Sequence, residues 1–516
     1  MIPRHLLALA AGLALARSLA AQCPDGTPPP CEGASPREVP AGSLAVLDFL
    51  NESGDTTDAY LAEGVTDEVT ARLSQVHRLR VTSRTAIRRL PNSARLTPQT
   101  LGRTLDVAYL VSGGVRRGPG RVRITIELLR AATGVTVWSN VYDRPDGDLL
   151  DIEADLAASV ARAVAGRLLP AEQASLATPP TQDPSAYDHF LRGNFLLLAR
   201  TPSATVRAID EYEAATARDP TFVRARARIA YAYGLFLDWG WPYPGVSRQS
   251  LIARGLRETD LVLQRDSTLS DAWMARAYLL RMDDPRTFRG ADDAFERAIA
   301  LDPSNAEALQ QYAWTLQVSG RDSAAREAYG RALAVDPLRA ITLDELSILY
   351  FARRRFREAL AWEDRAQVTD PDAFYVHADR AHTRLLLGDL AGADQDAAAA
   401  RRLVPPGYTF WGDAISAMVA ARRGDTTSAR AVARRLLREL GDRPQPTAQQ
   451  VRWIAGALAA AGDEVGALAL VETTPPQERG LYLWYWLQFP EFDMLRADPR
   501  FRRVVDELAP PGALEP

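Results

Sequence analysis

Residues 291–303 read ADDAFERAIALDP, residues 325–337 read AREAYGRALAVDP, residues 359–371 read ALAWEDRAQVTDP and residues 393–405 read ADQDAAAARRLVP. Successive stretches start 34 residues apart, and three columns recur in all four. The first is Ala291, Ala325, Ala359 and Ala393; the second is Ala298, Ala332, Ala366 and Ala400; the third is Pro303, Pro337, Pro371 and Pro405. A fixed period of this length marks a stacked array of one supersecondary unit. Alanines seven residues apart share a helix face and let a second helix approach closely. Asp-Pro at 302–303, 336–337 and 370–371 ends the second helix, because the residue before proline leaves the α region. Phe295 and Tyr329 are large enough to fill the gaps between units.

Working outward, an earlier unit is legible at Ala208, Tyr212, Ala215 and Asp219-Pro220. The next starts at Val223, carries an insertion around Asp238-Trp-Gly-Trp-Pro-Tyr-Pro-Gly245 and recovers at Asp266. Weaker units run from about Tyr408 to Leu440 and from Ala448 to Val471. Leu481 to Leu508 reads as a terminal cap. The period and columns resemble the tetratricopeptide repeat, and Asp498-Pro499-Arg500-Phe501 resembles the closing segment of related repeat proteins. The expectation is an array over 186–509 of about seven or eight helix pairs, with first helices lining a concave surface.

Ahead of it, Ser43–Phe49 reads as a strand running into the turn Asn51-Glu-Ser-Gly-Asp55. Leu61, Val65, Val69 and Leu73 mark one face of a helix. Leu79–Ser83 reads as a strand and Pro98–Leu105 as a short helix. Ala108–Arg117, Arg121–Arg130 and Val135–Tyr142 read as antiparallel strands turning at Gly118-Pro-Gly120 and Thr133-Gly134. In the middle one, Val122, Ile124, Ile126 and Leu128 alternate with polar residues, so one face is buried. Asp148–Leu168 closes the unit as a helix.

The stretches LAVLDFLNESGD, YLAEGVTDEVTARLSQVHRLRVTSRT, LGRTLDVAYLVSGGVRR and RVRITIELLRAATGVTVWSNVYDR, spread over residues 43–169, resemble the TolB-amino-terminal-like (FlgO-like) domain. That resemblance implies a small α/β domain of bacterial envelope and signalling proteins, often placed before helical repeats, with no catalytic residues to carry over. Relatives often place a winged-helix, kinase or cyclase module ahead of it; only 42 residues precede it here, so none is expected. The fold class expected is a small α/β domain followed by an all-α tetratricopeptide-repeat solenoid. Residues 170–185, rich in Pro and Thr, read as an exposed linker between two separately folding units.

Residues 1–20 read as a secretory signal peptide: Arg4, an apolar run from Leu6 to Ala16, then Ser18-Leu19-Ala20. The rival reading is an uncleaved membrane anchor. In the leader at 21–42, Cys23 and Cys31 flank a turn-rich spacer that can bring the sulfurs together; the two readings are a local disulfide, which export would permit, and two free thiols. The 516 residues carry a net charge of −4, and with no lysine in the chain all the fixed positive charge is arginine. The balance argues against a dominant nucleic-acid partner.

No P-loop, HExxH or GxSxG motif occurs, and we expect no cofactor and no enzyme. His377 and His382 stand about 140° apart on a helix, poorly placed for a shared metal. Arg353-Arg354-Arg355 reads as a solvated turn. Counting Pro303 as position 32, the groove positions are Trp273, Arg276, Gln310, Trp314, Gln317, Asp344, Ile348, Phe351, Tyr375 and His382. Aromatics with isolated polar groups suit anchoring of a protein or peptide partner. The function expected is an exported, periplasmic or envelope-associated scaffold. The alternatives are a small-molecule or nucleotide binder using the α/β domain near Asn51, and a cytoplasmic regulator. Trp239-Gly-Trp-Pro-Tyr-Pro244 is either a recognition loop or a plug over a repeat end.

Overall fold

The computed structural model describes residues 39–76, 78–82, 87, 96–404, 409–441 and 446–510. The signal segment, Cys23 and Cys31 lie outside the described residues. Among the described residues, six strands form one sheet: β1 (Ser43–Val46), β2 (Leu50–Asn51), β3 (Arg80–Thr82), β4 (Tyr109–Gly118), β5 (Arg121–Arg130) and β6 (Val135–Pro145), in the order β3-β1-β4-β5-β6, with β2 beside β4. β1 pairs in parallel with β3 and β4, and β4–β5–β6 is an antiparallel meander. The alternation in β5 holds: Val122, Ile124, Ile126 and Leu128 are buried while Arg121, Arg123 and Glu127 face water. Helices α1 (Ala59–Ser74) and α3 (Leu149–Ala165) share their core with that buried face. Helix α2 (Pro98–Leu105) packs in a separate small cluster with Ala45, Leu110 and Ala131.

Residues 170–185 are mostly exposed, as a linker would be, but they are not an irregular connection. Pro170–Ala177 is a helix, α4, whose Leu176 is buried. Pro170 and Pro184 each open a helix, where the missing N–H costs nothing, so these prolines initiate structure rather than interrupt it. Helix α5 (Pro184–Leu197) packs on α1, with the Leu191 side chain where a Cβ on Gly64 would sit. Polar groups tie the same contact together. Tyr187 donates to Glu153 (2.6 Å), and Glu68 takes Arg72 from its own helix and Arg224 from the array, both at 2.8 Å. The α/β unit and the array therefore share one apolar core that runs from Leu44 to Leu508.

The array contains eight helix pairs among the described residues. They are α5 with α6 (Pro202–Arg218), α7 (Val223–Asp238) with α8 (Arg248–Arg265), α9 (Ser270–Asp283) with α10 (Ala291–Leu301), and α11 (Ala306–Val318) with α12 (Asp322–Val335). There follow α13 (Ala340–Ala352) with α14 (Phe356–Thr369), α15 (Phe374–Leu387) with α16 (Leu390–Leu403), α17 (Phe410–Arg422) with α18 (Thr426–Gly441), and α19 (Ala448–Ala460) with α20 (Glu464–Glu472). The alanines of both columns are buried, and Asp302, Asp336 and Asp370 cap the second helices before their prolines. Two short helices, α21 (Leu481–Trp486) and α22 (Pro499–Leu508), follow the last pair among the described residues. α22 packs on α20, whereas α21 and the 3-10 turn Pro490–Leu495 pack on first helices α11 and α19. The chain thus folds its own C-terminal segment into the concave face. Gly480 marks the entry: a Cβ there would lie 2.1 Å from the Pro285 carbonyl oxygen, which accepts the Leu481 N–H at 2.8 Å.

Candidate functional site

First helices from seven pairs, the insertion after α7 and the C-terminal segment surround a cavity of about 120 Å³. Its walls include Asp238 and Trp239 at the end of α7, Arg281 on α9, and Trp314 on α11. Asp344, Glu345 and Ile348 come from α13, Tyr375 and Asp379 from α15, Trp411 from α17, Arg452 from α19, and Tyr482 and Trp486 from α21. No contact closer in sequence than a whole repeat could assemble this set.

The insertion closes one side. Gly240 takes a positive φ of 65°, and a Cβ there would strike Thr447. Trp239 stacks on Trp241 and meets Phe374 and Tyr375 edge-on at 5.7 and 5.9 Å. Trp241 is buried against Phe236. Of the two readings of Trp239–Pro244, the plug describes what is seen.

The C-terminal segment closes the other side. Trp314 Nε1 donates to the Tyr482 hydroxyl, which donates onward to Asp238, both at 3.0 Å. Gln317 donates to the Tyr485 hydroxyl at 2.8 Å. Phe351 stacks on Phe489 at 5.1 Å, and His382 lies 3.6 Å from Glu491. The sequence-derived groove set therefore divides. Trp314, Asp344, Ile348 and Tyr375 line the cavity; Gln317, Phe351 and His382 meet the chain's own C-terminal segment; Gln310 donates to Glu345 at 2.6 Å. The open anchor expected at Trp314 and Phe351 is filled, and both are buried.

Trp273 and Arg276 fall elsewhere. Arg276 turns back to Thr259 and Asp260 on α8, and Trp273 donates to the Ser267 carbonyl. The reason is a longer connection, Asp284–Gly290, between α9 and α10. Counting back from Pro303 through two additional residues shifts the register by two. Counted from the first helical residue, Tyr278 and Arg281 hold the positions that Trp314 and Gln317 hold in α11.

Electrostatics set the cavity apart. Arg281 is fully buried and donates to Gln311 and Thr315. Arg452 is buried with its guanidinium 4.2, 4.3 and 4.5 Å from the ring centres of Trp453, Trp486 and Phe489. Burial pushes Glu345 up to about 8, and neighbouring Asp238 adds to it. Burial, then Asp379, Glu363 and Glu345, push Asp344 well above the usual carboxylate range. Burial and then Arg452 hold His382 well below its ordinary value, so its ring is neutral. Sequence reasoning missed Arg281, Arg452, Glu345 and Asp379. It also missed the C-terminal occupant, for which LYLWYWLQF at 481–489, with five aromatics, was the available signal.

The other candidates are self-contained. Asn51 donates to the Asp55 carbonyl and accepts from Ser53, so the loop after β2 is a closed turn. His377 is held by Asp396 and the Pro371 carbonyl. Arg353, Arg354 and Arg355 each face a carboxylate, on Asp322, Asp493 and Glu358. Among the described residues no group of three or more metal-ligating side chains converges, and no helix is long and apolar enough to cross a membrane.

Comparison with known proteins places a tetratricopeptide repeat at residues 294–327, where that family's model matches. A Rhizobium meliloti (strain 1021) protein described as "Putative adenylate cyclase 3" is 29% identical over 206 residues, 39% of this chain and 35% of that protein. The chain thus spans about a third of the length of the curated relative it matches. Solved structures with similarity include Pseudomonas aeruginosa pilF (18% identical, 42% of this chain and 95% of that one, TM-score 0.33). Human IFIT1 in a dimer with PPP-AAAA is a second (15% identical, 63% and 85%, TM-score 0.40).

Proposed function

We propose that this chain is an exported, non-enzymatic scaffold that recognises polypeptide through the concave face of its repeat array. The observation that carries the reading is the seating of Leu481–Leu495 on that face through Trp314, Gln317, Phe351 and His382. The face holds a polypeptide segment by aromatic anchors and side-chain hydrogen bonds, which is how such surfaces bind partners. Leu483, Leu487, Phe489 and Phe492 are fully buried, so this segment is held as a core is held and a partner does not displace it. The partner engages the first pair instead. Phe195 on α5 occupies the same helical position as Phe351 and Gln317, counted from the first helical residue, and is 40% exposed with Leu198 beside it.

Export is part of the proposal and rests on Arg4, the Leu6–Ala16 run and Ser18-Leu19-Ala20. The resemblance of residues 43–169 to the TolB-amino-terminal-like domain supports an envelope setting. The test is a photo-crosslinking residue at Phe195 in cells that make the full chain, with the same residue at exposed Arg331 as control. A defined protein adduct at Phe195 and none at Arg331 is expected; adducts at neither position, or equally at both, would overturn the reading. Mass spectrometry of the mature amino terminus reads the export claim separately. The similarity to part of the Rhizobium meliloti protein favours a second reading, a cytoplasmic regulator in signalling. An intact Met1 on a cytoplasmic chain would select it.

A further inference from the structure

The cavity has an unbalanced lining: five carboxyl groups against three guanidinium groups. Four of the five are matched. Asp238 accepts from the hydroxyls of Tyr278 and Tyr482 (2.9 and 3.0 Å), Glu345 accepts from Gln310, Asp379 lies 3.4 Å from Arg452, and Glu478 lies 3.6 Å from Arg248. Asp344 is the exception. It is 2% exposed, and its Oδ1 has no hydrogen-bond partner.

The groups that face Asp344 are mostly of its own sign. They are Glu345 on its own helix, Glu363 on α14 and Asp379 on α15, with Arg452 on α19 the opposing charge. Arg452 is already shared between Asp379, Glu491 at 3.7 Å and three aromatic rings. A buried acceptor left without a donor is destabilising, so the site favours a donor that also brings positive charge. A metal ion does not answer the need, because no set of three or more ligating side chains converges among the described residues. The remaining walls are aromatic faces, which attract organic cations. A cavity of about 120 Å³ has space for several waters or a compact amine of a few carbon atoms.

We propose that this cavity binds a small protonated aliphatic amine, its ammonium donating to Asp344 Oδ1 and its carbons lying against Trp239, Trp314, Trp411 and Trp486. The small cation would sit in the central cavity of the array, apart from the exposed Phe195 of the first pair. The proposal does not rest on the scaffold reading.

The test is titration calorimetry and thermal denaturation of the full chain with n-butylammonium, 1,4-diaminobutane, 4-aminobutanoate and tetramethylammonium. Butylammonium is expected to release or absorb measurable heat and raise the melting temperature. Tetramethylammonium, which has no N–H, should bind about tenfold more weakly or worse. The diamine and the zwitterion report whether a second charge is accepted, and tighter binding of either refines the ligand within the amine class. Asp344→Asn should weaken butylammonium about tenfold or more without lowering the melting temperature of the free protein, since it removes an unpartnered buried carboxyl. Glu439→Gln, on the outer surface, should leave binding unchanged. No heat and no shift with any amine at about 10 mM would overturn the proposal, as would equal binding by Asp344→Asn. Should Asp344→Asn fail to fold, a crystal of the unmodified chain grown with butylammonium decides. Its nitrogen within hydrogen-bond distance of Asp344 supports the site, and water alone in the cavity overturns it.

Discussion

Along the seam between paired helices, Ala298, Ala332, Ala366 and Ala400 are buried as a column of the smallest side chains, spaced by a strict period. On the concave wall of the same array, Arg281, Asp344, Asp379 and Arg452 are buried with aromatic rings and with each other, and no period governs them. The seam asks only that two backbones approach, and any unit solves that problem in the same way. The wall must solve a different problem at each unit, because what a side chain meets there comes from the next repeat, from a distant one or from the C-terminal segment. Period builds the frame, and departures from the period furnish its interior.

The largest effect should come from breaking the wall. Phe489→Ala removes a fully buried ring that packs on Phe351, Tyr485 and Trp486. A loss of about 3–5 kcal/mol in urea unfolding is expected. A loss under about 1 kcal/mol would mean that the segment is a loose cap. Next comes the seam. Ala332→Leu forces extra carbons between α11, α12 and their neighbours and should cost about 1–3 kcal/mol by overpacking, although it adds apolar surface. Were it neutral, the close approach would not be what the alanine column secures.

Acid–base behaviour sharpens the contrast, since the wall titrates and the seam does not. Burial raises Glu345 and Glu363 to about 8 and Glu491 to about 7, from an ordinary 4.5. The folded chain therefore keeps protons that the unfolded chain releases, so their contribution is complete below about pH 4.5 and is lost as pH rises to about 8. Glu307 runs the other way. Against the opposing effect of burial, Arg339 and Arg200 hold it down to about 2, so its contribution is lost as pH falls from about 4.5 to about 2. The melting temperature should fall on both sides of about pH 5, and Glu345→Gln should flatten the alkaline side. An unchanged alkaline slope in that variant would remove Glu345 from the account. The smallest effect belongs to the surface. Arg354→Ala breaks an exposed pair with Asp493 at 2.7 Å and should change stability by less than about 1 kcal/mol, with the circular dichroism spectrum unchanged.

The frame was legible for physical reasons. The alternation in β5, the helix at Pro98–Leu105 and the alanine and proline columns are local consequences of periods two, 3.6 and 34, and the structure reproduces them. The site was half legible. Trp314, Asp344, Ile348 and Tyr375 fell at inward positions because repeat register alone decides which way they point. Trp273 and Arg276 were misplaced because the register was carried through a connection of unequal length. The partners of Arg452 lie on α15 and in the C-terminal segment, and no local pattern announces contacts across such distances. Pro170–Ala177 misled for the opposite reason: proline reads as a breaker, yet at a first helical position it is a starter.

Hydrogen exchange of the full chain tests most directly the claim that the concave face is closed by the chain's own C-terminal segment. Amides of Trp484, Leu487 and Phe489, which donate to Gly480, Leu483 and Trp486, should exchange only through global unfolding, as slowly as those of α11 and α13. Exchange of that segment in seconds, while α11 and α13 stay protected, would mean that the groove is open and that the cavity lacks the wall made by Tyr482 and Trp486.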